Sequence, residues 1–181
     1  MKIILLGYMG SGKSKVGSLL GSKLNLPFLD LDSEIEKVEQ RKIPQVFKES
    51  GEIYFRKKET EVMQNLLMDP QENIIALGGG TPCYGNNLSI LKQTPDAILV
   101  YLKTSLGTLK ERLLPERKSR PLISHLESEE LLEDFLRKHL FERVYYYNQS
   151  HQVVETDSKT PEAVCNEIIK RLHQDRPVPT F

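Results

Sequence analysis

The sequence predicts an α/β fold of three layers (α/β/α), a five-stranded parallel sheet with helices on both faces. Short apolar runs of strand length alternate with stretches of helical period, and strands separated by helical segments pair in parallel through crossover connections. The first run, Lys2 to Gly7, breaks on glycine and leads into a helix from Lys13 to Leu24, where Val16, Leu19, Leu20 and Leu24 recur at helical spacing. The 181 residues are 39% hydrophobic and 28% charged, enough for one core, because a chain of this length buries roughly 70% of the surface its unfolded form exposes. No repeat, low-complexity tract or Gly/Ser linker divides it, so a single domain over residues 1–181 is expected.

Each further element follows from local chemistry. Pro27 to Asp32 reads as the second strand, and Ser33 with Glu36 three residues on has the spacing of a capping box opening the next helix. Ile43 to Ser50 reads as a short helix stopped by Gly51, and Glu52 to Met68 as a longer one ended before Asp69-Pro70. Asn73 to Leu77 is a third strand running into Gly78-Gly79-Gly80. A turn rich in Pro, Gly and Asn leads to the most hydrophobic strand, Asp96 to Leu102, and then to a helix from Ser105 to Leu114, halted by Pro115. Pro115 to Ser124 is polar and basic, lacks either period, and reads as a loop. Glu127 to Asn148 is a long helix, His151 to Glu155 a last strand, and Thr160-Pro161-Glu162 opens a helix running to about His173. The tail, Gln174 to Phe181, holds two prolines and is expected to fray.

Twenty-five basic residues against 25 acidic ones give a formal net charge of zero. A dedicated nucleic-acid binder would carry a basic excess, so no nucleic-acid partner is expected. The longest apolar run, Ala97 to Leu102, falls far below the ~20 residues of a membrane span, and Ile3 to Leu6 is too short for the core of a signal peptide. No membrane partner is expected. Cys83 and Cys165 stand far apart outside any CxxC pattern, which suits two reduced thiols in a cytoplasmic protein. No heptad or apolar seam is evident, so a monomer is expected.

The chemistry is set by Gly7-Tyr8-Met9-Gly10-Ser11-Gly12-Lys13-Ser14, which matches the phosphate-binding loop GxxxxGK[ST] between a strand and a helix. Its glycines let successive backbone N–H groups point inward around a polyphosphate, Lys13 supplies charge for the β- and γ-phosphates, and Ser14 offers a hydroxyl to Mg²⁺. Asp30 and Asp32, two apart at the end of the second strand, are expected to project to the same side. There one can hold Mg²⁺ through water while the other accepts a hydrogen bond from an attacking hydroxyl. Three arginines complete the pattern. Arg120, beside Pro121 in the non-periodic loop, suits a group brought over the γ-phosphate as a lid closes, and Arg56 and Arg143 suit a bidentate clamp on a carboxylate.

Taken together, these motifs resemble the shikimate kinases. The resemblance runs from Lys2 to about His173 and rests on GYMGSGKS at Gly7–Ser14, LDLD at Leu29–Asp32, GEIYFRKKE at Gly51–Glu59, LGGG at Leu77–Gly80, SRPLI at Ser119–Ile123 and ERVYY at Glu142–Tyr146. It implies a P-loop NTPase fold of the nucleoside-monophosphate-kinase type, with a substrate-binding helical region at about 32–62 and a mobile lid at about 113–125. The implied substrates are ATP and shikimate, with Mg²⁺ as cofactor, and the reaction is γ-phosphoryl transfer to the shikimate 3-hydroxyl. By position, Gly10, Ser11, Gly12, Lys13 and Ser14 would hold ATP phosphates, and Ser14 with Asp30 would hold Mg²⁺. Asp32, Arg56, Arg143 and the glycine turn Gly78, Gly79 and Gly80 would bind shikimate. Arg120 would meet the γ-phosphate, Arg112 would flank adenine, Glu59 would orient Arg56, and Phe47 and Phe55 would wall the pocket. Asp32, Lys13 and Arg120 are the implied catalytic residues.

Two positions depart from the family pattern. Lys15 stands where a small hydroxyl residue commonly touches the α-phosphate, and Lys159, in Asp157-Ser158-Lys159-Thr160, stands where arginine often borders adenine. Both are assigned to the nucleotide site. The readings in competition are gluconate kinase, which shares the phosphate loop and a hydroxylated acid as substrate, adenylate kinase, and a nucleotide-binding regulatory module without catalysis. Neutrality is also uneven: five acids face one base from Asp30 to Glu39, and five bases face two acids from Lys110 to Arg120.

Overall fold

The computed structural model describes residues 1–120 and 122–174. Pro121 and the tail expected to fray, from residue 175 onward, lie outside the described residues. Five strands form one parallel sheet in the order β2-β3-β1-β4-β5, with β1 Lys2–Leu6, β2 Phe28–Asp30, β3 Asn73–Ala76, β4 Ala97–Lys103 and β5 Gln152–Glu155. The helices are α1 Lys13–Leu24, α2 Leu31–Glu39, α3 Ile43–Met68, α4 Asn87–Gln93, α5 Leu106–Leu113, α6 Glu129–Tyr147 and α7 Pro161–Gln174.

Strand β1 lies between β3 and β4, and all five of its residues are buried, as expected of a strand covered on both faces. Its side chains alternate between two cores. Ile3 and Leu5 pack with Val16 and Leu20 of α1 and Ile168 and Leu172 of α7. Ile4 and Leu6 pack on the opposite face with Phe55 and Met63 of α3, Leu109 of α5 and Leu136 of α6. Full burial of each such leucine or isoleucine contributes about 2 kcal/mol. The strand order reverses at β1, so the carboxyl ends of β1 and β3 open one crevice at the sheet's switch point.

The expected elements are present, with three corrections. Strand β2 ends at Asp30, and α2 starts at Leu31, so Asp32 belongs to the first helical turn instead of the strand. The Asp30 side chain caps that helix by accepting from Asp32 N at 3.2 Å, which displaces the Ser33/Glu36 capping box. Glu36 instead accepts from Ile43 N and Lys42 Nζ. Second, the segment after the glycine turn, read as turn alone, contains a 3₁₀ turn at Thr81–Cys83 and the short helix α4. Third, the loop from Pro115 to Ser124 contains a 3₁₀ turn, Arg117–Ser119, and Ile123 within it is fully buried. The two helices expected on either side of Gly51 are both present within α3 and are separated there by non-helical backbone at Gly51, φ +80° and ψ 172°, a conformation glycine adopts without steric penalty.

Candidate active site

The phosphate loop follows β1 and ends in α1. Gly10 and Gly12 hold φ +80° and +96°, left-handed values that a side chain would strain. They turn the loop back over the start of α1. Lys13, the first residue of that helix, donates through Nζ to the carbonyls of Gly7 at 2.8 Å and Tyr8 at 3.0 Å. Burial lowers its pKa to about 8 against the pull of Asp32 and Asp30, with Arg120 and Arg143 adding to the lowering. Ser14 Oγ donates to Asp30 Oδ2 at 2.9 Å.

That contact brings together two hard oxygen donors beside the phosphate loop. Such a pair fits a Mg²⁺ ion, which keeps several waters and is completed by phosphate oxygens instead of an all-protein cage. Among the described residues no group of three or more His, Cys, Asp or Glu gathers elsewhere to hold a metal. Asp30 therefore both caps α2 and faces Ser14, while Asp32, two residues further on in the first turn of α2, lines the same cleft. The convergence of the two carboxylates survives the change from strand to helix, with a different cause. Asp32 has its pKa pushed up to about 6 by desolvation against the surrounding protein and by the charges of Asp30 and Glu59, opposed by Lys13 and Arg56.

The glycine turn after β3 is the meeting point of the substrate-side residues. A Cβ added at Gly78 would lie 2.9 Å from Thr81 Oγ1, 3.0 Å from Glu59 Oε1 and 3.2 Å from Asp32 Oδ1. One at Gly80 would lie 3.0 Å from Arg56 Nη2, and one at Gly79 3.7 Å from Arg143 Nη1. The absent side chains allow the two arginines and Asp32 to crowd the turn. Arg56 Nη1 donates to the buried Glu59 carboxylate at 2.8 Å. Its guanidinium lies over the rings of Phe55 and Tyr84 at 5.3 and 5.7 Å. Phe47 and Phe55 stack with centroids 4.5 Å apart. Arg143 lies 5.4 Å over the Tyr8 ring.

On the nucleotide side, Arg112 Nη1 donates to Gly10 O at 3.1 Å, tying α5 to the loop. Arg120 pairs with Glu116, its Nε 2.9 Å from Oε2. Lys159 pairs with Glu167 at 2.7 Å, so its ammonium is committed to a carboxylate at the rim. A cleft of 650 Å³ contains the phosphate loop, Lys15, Asp30, Asp32, Gly78, Gly79, Arg112, Arg120 and Lys159 in its lining. The residues expected at the site thus come together, with Arg56, Arg143 and Gly80 adjoining through the glycine turn.

Sequence reasoning missed the residues that hold this turn. Tyr147 is fully buried and donates its hydroxyl to Gly79 O at 2.5 Å. Thr81 Oγ1 donates to Glu59 Oε1 at 2.6 Å, and Asn87 Nδ2 donates to Thr81 O at 2.9 Å. The Tyr145–Tyr147 run was visible, but only the helix geometry selects the third tyrosine as the inward one.

The family model described as Shikimate kinase matches residues 9–173. The shikimate kinase of Flavobacterium psychrophilum is 46% identical over 171 residues, covering 94% of this chain and 98% of the relative. A crystal structure of shikimate kinase from Bacteroides thetaiotaomicron superposes with a TM-score of 0.86 at 29% identity, covering 96% of this chain and 98% of the other. Shikimate kinase from Acinetobacter baumannii, solved in complex with shikimate, gives a TM-score of 0.86 at 33% identity, covering 98% of this chain and 95% of the other.

Proposed function

From the premise that this chain belongs to the shikimate kinase family, we propose that it transfers the γ-phosphoryl group of ATP to the 3-hydroxyl of shikimate, and that the residues of the cleft divide the work as follows. Gly10 to Ser14, with Lys15 and Arg112 beside them, hold the nucleotide, and Lys159 borders its outer end. Arg56 and Arg143 hold the substrate carboxylate, with Gly78, Gly79 and Gly80 allowing its ring to approach the backbone. Asp32 accepts the hydrogen bond of the 3-hydroxyl and takes its proton as the bond to phosphorus forms, while ADP leaves in line. Lys13 and Arg120 stabilise charge on the transferred group. For Arg120 this requires exchanging Glu116 for phosphate, which is the sense in which the 113–125 segment acts as a lid. Ser14 and Asp30 would hold Mg²⁺, which when bound neutralises phosphate charge.

The observation that carries this reading is the position of Asp32, in one cleft with the phosphate loop and 3.2 Å from a Cβ built on the glycine turn that both arginines crowd. A hydroxyl acid bound there presents its hydroxyl to Asp32 and its carboxylate to the arginines. Domain organisation follows the same reading: one kinase domain, with substrate-binding helices over residues 32–62. We further assign a monomer in the cytoplasm. No described helix is long and apolar enough to cross a membrane.

The test is an ADP-release assay with Mg²⁺ and ATP, offering shikimate and gluconate separately. Turnover is expected with shikimate alone, and turnover with gluconate alone would reject the assignment. Asp32→Asn is expected to retain ATP binding and lose at least about 100-fold in turnover, whereas an inert regulatory module would be indifferent to it. Arg143→Ala is expected to raise the shikimate KM far more than the ATP KM.

A further inference from the structure

We propose that two buried hydroxyls, those of Tyr147 and Thr81, set the spacing of the carboxylate clamp by keying each arginine to the same glycine turn. The inference rests on the assignment of Arg56 and Arg143 to the substrate carboxylate and adds the residues that position them.

The two guanidinium groups come from α3 and α6 and approach different glycines of the turn, Arg56 at Gly80 and Arg143 at Gly79. A bidentate hold on one carboxylate needs both in register, because charge-assisted hydrogen bonds weaken steeply off their preferred geometry. From α6, the Tyr147 hydroxyl donates to Gly79 O at 2.5 Å and itself meets the Arg143 guanidinium, one helical turn earlier, in a side-chain hydrogen bond, with Arg143 Nη1 3.7 Å from a Cβ built on Gly79. The ring that carries this hydroxyl is fixed by burial and by Tyr101, 5.0 Å away between centroids. From α3, Arg56 donates to one oxygen of Glu59 at 2.8 Å, and Thr81 donates to the other at 2.6 Å. Thr81 is itself fully buried and is held through its carbonyl by Asn87, whose own side-chain oxygen lies 2.9 Å from Thr60 Oγ1 on α3.

A continuous path therefore runs from Arg143 through Tyr147, the backbone from Gly79 to Thr81, and Glu59 to Arg56. Both hydroxyls are donors whose only role on this path is to fix a distance. Neither needs to touch substrate, so both are positioning residues. Fixing Gly79 O also orients the adjoining peptide groups of the turn, so Tyr147 governs one guanidinium and the backbone beside it together.

The test uses full-length Tyr147→Phe, Thr81→Val and Thr81→Ser, with Arg143→Ala as reference, and steady-state kinetics with shikimate and MgATP varied in turn. Each hydroxyl deletion is expected to raise the shikimate KM about 3- to 10-fold, the range of one lost hydrogen bond, with the ATP KM held within about 2-fold. Thr81→Ser, which keeps the hydroxyl, is expected to return the shikimate KM to within about 2-fold of the parent. In the Arg143→Ala background, Tyr147→Phe should add little, because its effect runs through a group already removed. An unchanged shikimate KM in folded Tyr147→Phe, or equal rises for both substrates, overturns the proposal. If Arg143→Ala itself leaves the shikimate KM unaltered, the clamp assignment fails instead. Tyr147→Phe decides the matter even if Thr81→Val does not fold.

Discussion

At Asp32 and Lys13 the requirements of catalysis and of stability oppose one another. Asp32 is crowded by Asp30 and Glu59 as well as by desolvation, and its pKa rises to about 6, while burial brings Lys13 down to about 8. In the free enzyme the competent pair is Asp32 without its proton and Lys13 with it. The pH profile of kcat/KM for ATP should therefore be bell-shaped, falling below about pH 6 and above about pH 8. Bound phosphates favour the charged lysine, so the alkaline limb of kcat should move to higher pH. Limbs of kcat and kcat/KM that coincide would contradict this account. The stability consequence has the opposite sign from a paired carboxylate. A raised pKa means that the folded state binds a proton more tightly than the unfolded one between about pH 4 and pH 6, so stability falls as pH rises through that window. Asp32→Asn should therefore melt at higher temperature than the parent at pH 7, by a margin that shrinks toward pH 4. Solvent reaches Asp32 through the open cleft, which reduces the gain to on the order of 1 kcal/mol. Thermal unfolding at both pH values checks it.

Helix α1 carries the phosphate loop, and its seat on the sheet depends on two glycines outside the motif. A Cβ at Gly17 would fall 2.2 Å from the Phe28 ring, and one at Gly21 would fall 2.9 Å from Leu26 O. Gly17→Ala gains up to about 1 kcal/mol of helix propensity, but overpacking of this severity costs about 1–3 kcal/mol, so the net effect should be destabilising. Because α1 begins with Lys13, the same displacement should raise the ATP KM by a few fold while leaving the shikimate KM nearly unchanged. Urea unfolding with two-substrate kinetics would show it. An unchanged or increased midpoint would mean that Phe28 simply moves aside. What was legible here divides along physical lines. The phosphate loop and the alternation of β1 follow from local spacing, and the kink at Gly51 follows from a single residue. The start of α2 did not, because Ser33/Glu36 and Asp30/Asp32 offer two overlapping caps and only the tertiary contact of Asp30 with Ser14 distinguishes them. Helix α4 was obscured by the Pro-, Gly- and Asn-rich segment before it, although Leu91 is buried in the core. Tyr147 and Thr81 could not be singled out, since their roles depend on partners 68 and 22 residues away.

At the scale of the whole molecule, zero net charge leaves no global field to steer anions, so attraction must come from the local distribution. The arginines of the proposed carboxylate clamp are half-buried and tied into the glycine turn, Arg56 by the buried Glu59. Lys15 and Arg120, by contrast, lie at the open mouth of the cleft, where Arg120 is held by Glu116. Charges exposed to solvent are screened within roughly 10 Å at 0.1 M salt, and buried ones much less. Raising KCl from about 0.05 to 0.5 M should therefore weaken the nucleotide side more than the acid side, with the ATP KM rising at least about 3-fold and the shikimate KM less than about 2-fold. Glu116→Gln sharpens the argument. It removes the carboxylate that competes with phosphate for Arg120, so the variant should bind ATP more tightly than the parent at low salt, and the advantage should vanish at high salt. Measuring both KM values across the salt series, in parent and variant, separates local steering from a nonspecific salt effect, which would move both substrates alike and ignore Glu116.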